Sequence, residues 1–193
     1  MTHLIICDMD GTVVDSMGLL SQLGIALLAV SGRTEFNIAA EHYHATVGQP
    51  FGDQLRSWKH IQGGQSHLQI IAAYEAVHRS AASYFPLTEF GKSLVAYRHD
   101  LHPRVKFALV TSTSEGIVNT MPQLSHIPWS SITGYRGPDT QKVAQIRQAM
   151  FVHDASQKDT CYVGDSPSDK VLADEIGIPF YLPHVHTILE TMT

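Results

Sequence analysis

The sequence predicts an α/β fold, a Rossmann-like parallel sheet with helices on both faces, interrupted early by an all-helical insertion. Three observations predict it. The apolar run Leu4-Ile5-Ile6-Cys7 is short and almost uninterrupted, and it ends in Asp8-Met9-Asp10-Gly11-Thr12. Such a run reads as a central strand buried on both faces. A second short apolar stretch, beginning near Thr160, ends in Tyr162-Val163-Gly164-Asp165-Ser166-Pro167-Ser168-Asp169. Between Thr12 and Pro86 the pattern is helical, and no convincing strand occurs.

Each element follows from its own pattern. The first strand covers about residues 3–8. From Ser16 to Val30, the positions Leu20, Leu23, Leu27 and Val30 keep helical spacing. Further helices are predicted over 35–45 and 51–60. Gly63-Gly64 marks the loop before a long helix from about Ser66 to Tyr84, in which Ile70, Tyr74, Val77, Ala81 and Tyr84 make one stripe. After Pro86 the alternation resumes, with a helix over 88–100 and a strand over 106–111. A helix over 114–124, a strand over 131–133 and a helix over 140–152 come next. A strand over 160–164, a helix over 167–176 and a strand over 179–182 complete the series. About 70 residues of consecutive helix do not suit a β-α-β alternation. Residues 14–85 therefore read as a helical cap inserted into a core made of residues 1–13 and 86–193.

The two acidic motifs sit where an open α/β sheet binds ligands, beyond the carboxyl ends of its strands. Parallel strands side by side would gather Asp8, Asp10, Asp165 and Asp169 at one mouth. That many carboxylates repel one another unless a divalent cation neutralises them. An oxygen-only ligand set with few protein donors suits Mg²⁺.

Asp8-Met9-Asp10-Gly11-Thr12 resembles the first motif of the haloacid dehalogenase superfamily of phosphatases. Ala108-Leu109-Val110-Thr111-Ser112 resembles the second, and Gly164-Asp165 through Asp169 the fourth. The resemblance spans nearly the whole chain. It implies a helical cap between the first two motifs, with Asp8 as nucleophile and Asp10 as general acid and base. These roles fit the chemistry: a carboxylate can form an acyl phosphate, and a second one can protonate the leaving alkoxide and then activate water. Asp10 points to phosphate esters, because relatives acting on carbon–halogen or carbon–phosphorus bonds usually lack it.

The resemblance also implies a phosphate site at Thr111, with Gly11 baring backbone amides. Ser112 fits two roles: a phosphate contact, and an N-cap in a capping box with Glu115. The phosphate-binding cation departs from the family pattern. The chain reads Tyr135-Arg136-Gly137-Pro138-Asp139-Thr140-Gln141-Lys142. With Asp139 as N-cap, Lys142 would sit at N3, where a cation opposes the helix dipole unless an anion binds there. Lys142 is preferred over Arg136. Asp8, Asp10 (through its carbonyl) and Asp165 are the expected Mg²⁺ ligands. Asp169 either joins them or supports them from behind, while also completing a capping box with Ser166 ahead of Pro167. Val47-Gly48-Gln49-Pro50-Phe51 resembles a turn between cap helices that reaches the site, making Gln49 and Arg56 candidate specificity residues. A simple helix-capping turn is the other reading.

Composition bounds the function. A chain of 193 residues suits one compact domain with an inserted lobe. A hydrophobic content of 44% with 16% charged residues is that of a soluble globular protein. The net charge of −5 argues against a nucleic-acid partner. Apolar runs such as Leu23–Val30 are far too short to span a membrane. Cys7 and Cys161, both in predicted strands, read as core thiols, and no secretory pattern opens the chain, so a cytoplasmic location is expected. The histidine pairs His42/His44 and His184/His186 read as solvated surface. The resulting expectation is an Mg²⁺-dependent phosphatase of a small phosphorylated metabolite. A sugar phosphomutase and a non-catalytic binding protein on the same fold are the alternatives. The mutase reading lacks a basic, Ser-rich cap loop, and the intact Asp8, Asp10 and Asp165 argue against the binding-protein reading.

Overall fold

The computed structural model describes residues 3–60, 66–97, 102–137 and 140–183. Five strands form one parallel sheet: β1 (His3–Cys7), β2 (Val105–Ser114), β3 (Trp129–Tyr135), β4 (Thr160–Val163) and β5 (Phe180–Tyr181). Their spatial order is β3-β2-β1-β4-β5. The helices α1 (Met17–Gly32), α2 (Phe36–Thr46), α3 (Phe51–Ser57) and α4 (His67–Ala81) follow β1. Then come α5 (Glu89–Val95), α6 (Glu115–Val118), α7 (Lys142–Val152) and α8 (Pro167–Ile176).

β1 is the central strand, and both its faces are buried. Ile5 and Cys7 join Phe107, Leu109, Cys161 and Val163 in one core, covered by Phe90 and Leu94 of α5 and by α6. Leu4 and Ile6 join Ala108, Val110 and Tyr162 in the other, covered by Ile146 of α7 and Ala173 of α8. This two-sided burial is why β1 is apolar at every central position and not at alternate ones. Cys7 and Cys161 are both fully buried in the core, as expected. No helix among the described residues is long and apolar enough to cross a membrane.

Helices α1 to α4 close on a hydrophobic cluster of their own: Ile25, Leu28, Ala39, Tyr43, Phe51, Leu55, Trp58 and Ile70. Their two connections to the sheet run side by side. Val14 bridges Leu87, the Asp15 amide donates to the Pro86 carbonyl at 2.9 Å, and the Thr88 hydroxyl donates to the Thr12 carbonyl at 2.6 Å.

Several expectations are corrected. In α1 the buried row is Leu20, Gly24 and Leu28, and Val30 is exposed. Gly24 carries no side chain, so the Tyr43 ring packs directly against its backbone. In α4 the inner row is Ile70, Tyr74 and His78, while Val77 and, in the 3-10 turn that follows, Tyr84 are exposed. Packing selected the i, i+4, i+8 row, which the apolar count missed because it ends in a histidine. β2 runs on to Ser114, and the helix expected over 114–124 shrinks to α6 plus a 3-10 turn, Pro122–His126. Pro122 forces Met121 into extended backbone and so ends the helix. Ser112 is therefore a strand residue and not an N-cap; Ser114 holds that position. Gln141 caps α7, which puts Lys142 at N1 and not N3. Asp139, His184, His186 and the end of the helix expected over 88–100 lie outside the described residues.

Candidate functional site

The carboxyl ends of β1, β2 and β4 meet the N-termini of α7 and α8 at one mouth. Asp8 follows β1, and its amide donates to the Val163 carbonyl at 2.8 Å, which ties the β1 and β4 loops together. The chain then turns tightly, with the Val13 and Val14 amides both donating to the Met9 carbonyl at 2.9 Å. Gly11 adopts φ +80°, and a Cβ there would collide with the Asp165 carboxylate. Glycine is thus required twice over, by backbone conformation and by the close approach of an acid.

Lys142 is the electrostatic hub. Its Nζ lies 2.9 Å from Asp8 Oδ1 and 2.9 Å from Asp169 Oδ1, and all three groups are buried. Asp169 also accepts from Tyr162 Oη at 3.1 Å, Ser166 Oγ at 2.6 Å and the Ser166 amide at 3.2 Å. Ser166, Pro167 and Asp169 form the expected capping box at the start of α8. Burial raises the pKa of Asp169, but Lys142 and the Ser166 hydrogen bonds outweigh it and hold the carboxyl below its ordinary value. Burial also works against the Lys142 ammonium, yet Asp8, Tyr162 and Asp169 keep its pKa well above the usual lysine range. One ammonium cannot fully compensate two carboxylates. Asp8 carries the deficit: burial pushes its pKa up, Lys142 opposes this, and Asp169 and Asp10 add to it. Burial raises Asp165 as well, against a 3.0 Å hydrogen bond from Thr12 Oγ1.

Asp10 is held from two sides. Ser16 Oγ donates to Oδ1 at 2.6 Å and Thr113 Oγ1 donates to Oδ2 at 2.5 Å. Across from it, the Nε2 of the buried His78 on α4 stands 4.0 Å from Oδ1 without a hydrogen-bond partner. Burial lowers the pKa of this imidazole, and the Asp10 carboxylate only partly offsets that.

Carboxylate oxygens of Asp8, Asp165 and Asp169 lie within 4.8 Å of one another. The surplus negative charge on Asp8 and the all-oxygen donor set fit a hard divalent cation. Thr111 is buried beside them, its Oγ1 accepting from the Thr113 amide at 3.0 Å. Ser112 Oγ donates to the Gly48 carbonyl at 2.8 Å, and Ser168 Oγ donates to the Val47 carbonyl at 2.8 Å. The Val47–Pro50 turn is thus clasped against the mouth. Gln49 and Arg56 line the resulting cavity. Arg136 does not; its guanidinium forks onto Glu115 at 2.6 and 2.7 Å. Lys142 is therefore the cation that reaches the acids.

Sequence reading missed Ser16, Thr113, Tyr162 and His78. Thr113 had a signal: it shares a strand face with Thr111 at period two, but a helix was expected to begin there. Tyr162 looked like an ordinary strand aromatic, and only its hydroxyl reaches the acids.

The profile of the haloacid dehalogenase-like hydrolases matches residues 5–182. No curated protein matches the chain by sequence. Among solved structures, CbbY from Rhodobacter sphaeroides in complex with phosphate superposes with a TM-score of 0.72 at 16% identity, over 94% of this chain and 86% of that one. A haloacid dehalogenase-like family hydrolase from Streptococcus pneumoniae superposes with a TM-score of 0.65 at 17% identity, over 100% and 99%. A CbbY variant in complex with xylulose-1,5-bisphosphate superposes with a TM-score of 0.70 at 16% identity, over 100% and 91%. The sheet order, the acid cluster at its carboxyl edge and the profile match over most of the chain agree, and the chain belongs to the haloacid dehalogenase-like hydrolases.

Proposed function

We propose that this chain is an Mg²⁺-dependent phosphatase of a small phosphorylated metabolite, working through an aspartyl-phosphate on Asp8. The observation that carries the reading is Asp8 itself. It is a buried carboxylate short of compensating charge, beside a buried lysine and within reach of two further acids. Such a group is poised to receive a phosphoryl group as Lys142 and the backbone around Gly11 take up the phosphate oxygens. Thr111 would contact the same oxygens, and Ser112 stands beside it. Asp10, aligned by Ser16 and Thr113, would protonate the departing alkoxide and afterwards deprotonate the attacking water. Relatives solved with phosphate and with a sugar bisphosphate support a phosphorylated ligand.

Asp8 and Asp165 would hold the cation together with the main-chain carbonyl of Asp10. Bound there, it would neutralise charge on the transferring phosphoryl group. Asp169 stands behind, because its two oxygens already serve Lys142, Tyr162 and Ser166. The direct test is hydrolysis of para-nitrophenyl phosphate. Turnover with Mg²⁺ is expected, falling about a hundredfold or more in EDTA and returning when Mg²⁺ is restored. Turnover that ignores EDTA would remove the metal from the mechanism.

Residues 14–85 would act as the cap, pivoting on the paired connectors near Val14 and Leu87. Closure would shield phosphoryl transfer from bulk water and complete the pocket, and the water that attacks the acyl phosphate would be the one Asp10 activates. The clasp of Ser112 and Ser168 onto the Val47–Pro50 turn supports this reading. Core residues handle the phosphate, which every substrate shares, and the cap meets the remainder. Gln49→Ala and Arg56→Ala should therefore reorder a panel of natural phosphate esters by several-fold while changing para-nitrophenyl phosphate turnover by less than about twofold. Equal losses across the panel would assign both residues to folding.

A further inference from the structure

Besides the acids, the cavity is lined by residues of α3 and α4. They combine an apolar surface with one unpaired acid. Leu20, Phe51, Ile71, Tyr74 and Ile117 line it, with Phe51 stacked on Tyr74 at 4.1 Å between ring centroids. Tyr43 lines it as well.

Charge on these walls is one-sided. Glu75 of α4 lines the cavity, and none of the ion pairs found among the described residues engages it. Among the described residues, the lysines and arginines that line the cavity are Lys142 and Arg56. Lys142 is held by Asp8 and Asp169 at the phosphate end. Arg56 is paired with Asp53, and more than half of its side chain faces solvent. His78 also lines the cavity, but its buried Nε2 faces Asp10 at 4.0 Å at the acid end. A carboxylate or second phosphate on the leaving group would lose its hydration against apolar walls, meet Glu75, and find no free cation.

We infer that the substrate is a phosphate monoester whose leaving group carries no negative charge and packs an apolar flank against Phe51, Ile71 and Tyr74. This rests on the phosphatase reading above. The bisphosphate bound by the CbbY relative is thus the wrong charge class for this chain.

Matched pairs of esters test it. 2-Hydroxyethyl phosphate and phosphoglycolate are nearly isosteric and differ by one carboxylate; glycerol 3-phosphate and 3-phosphoglycerate form a second pair. The neutral member of each pair should have the higher kcat/KM by about tenfold or more. In Glu75→Gln the ratio of kcat/KM for the anionic member to that for its neutral partner should rise about threefold or more within each pair. An anionic member hydrolysed as well as its neutral partner would overturn the inference. So would a preference that Glu75→Gln leaves untouched, since the electrostatic cause would be gone. Absence of turnover on every ester, para-nitrophenyl phosphate included, would instead overturn the phosphatase reading and this inference with it.

Discussion

Asp8→Asn reduces turnover by about four orders of magnitude or more and leaves the protein folded: this is the outcome expected if Asp8 is the nucleophile. An amide oxygen cannot open the covalent route, and the substitution also removes one charge from the proposed cation site. The fold does not depend on that charge. Asp8 is the carboxylate that Lys142 leaves undercompensated, whereas Asp169 keeps its four donor contacts without it. The asparagine carbonyl can still accept from Lys142, so a thermal melt should show no loss of Tm. Beryllofluoride with Mg²⁺ should stabilise the wild type as a mimic of the acyl phosphate and leave the variant unaffected. Substantial residual hydrolysis in the variant would rule out the covalent mechanism. Unfolding of the variant would show that the Asp8–Lys142 pair is structural.

How much of this was legible in the sequence depends on the element. The central strand and the acids that follow it were plain, because a strand buried on both faces leaves an unbroken apolar run and costly carboxylates at its end invite a purpose. The capping box at Ser166 and Asp169 was also readable, since its signature is local. The rows of α1 and α4 that face inward were not, because they use Gly24 and His78 where a hydrophobicity count looks for apolar residues. The length of β2 is hard to read for a related reason: Thr111 to Ser114 are hydroxyl residues that cap helices as readily as they extend strands. Nor could the sequence choose where Lys142 points. Asp8 and Asp169, far apart in the chain, converge on it only after the sheet has formed.

Lys142→Met is expected to be the most destabilising single change at the site. The ammonium is almost fully buried between Asp8 and Asp169. Methionine fills similar volume, so packing is largely kept, but two buried carboxylates lose their counter-charge. Breaking a buried pair by removing one partner costs about 3–5 kcal/mol. For a chain of this size that corresponds to a fall in Tm of roughly 10 °C. Catalysis should also fall, by about a hundredfold or more, because the phosphoryl oxygens lose their buried cation. Two controls separate charge from packing. Lys142→Met combined with Asp169→Asn should recover part of the lost Tm, because one uncompensated charge is removed with its partner. Saturating Mg²⁺ should raise the Tm of Lys142→Met more than that of the wild type, since a cation bound by Asp8 and Asp165 then supplies the missing positive charge. If neither the second substitution nor Mg²⁺ recovers any stability, the loss belongs to packing around α7, and Lys142 is not the hub on which these acids depend.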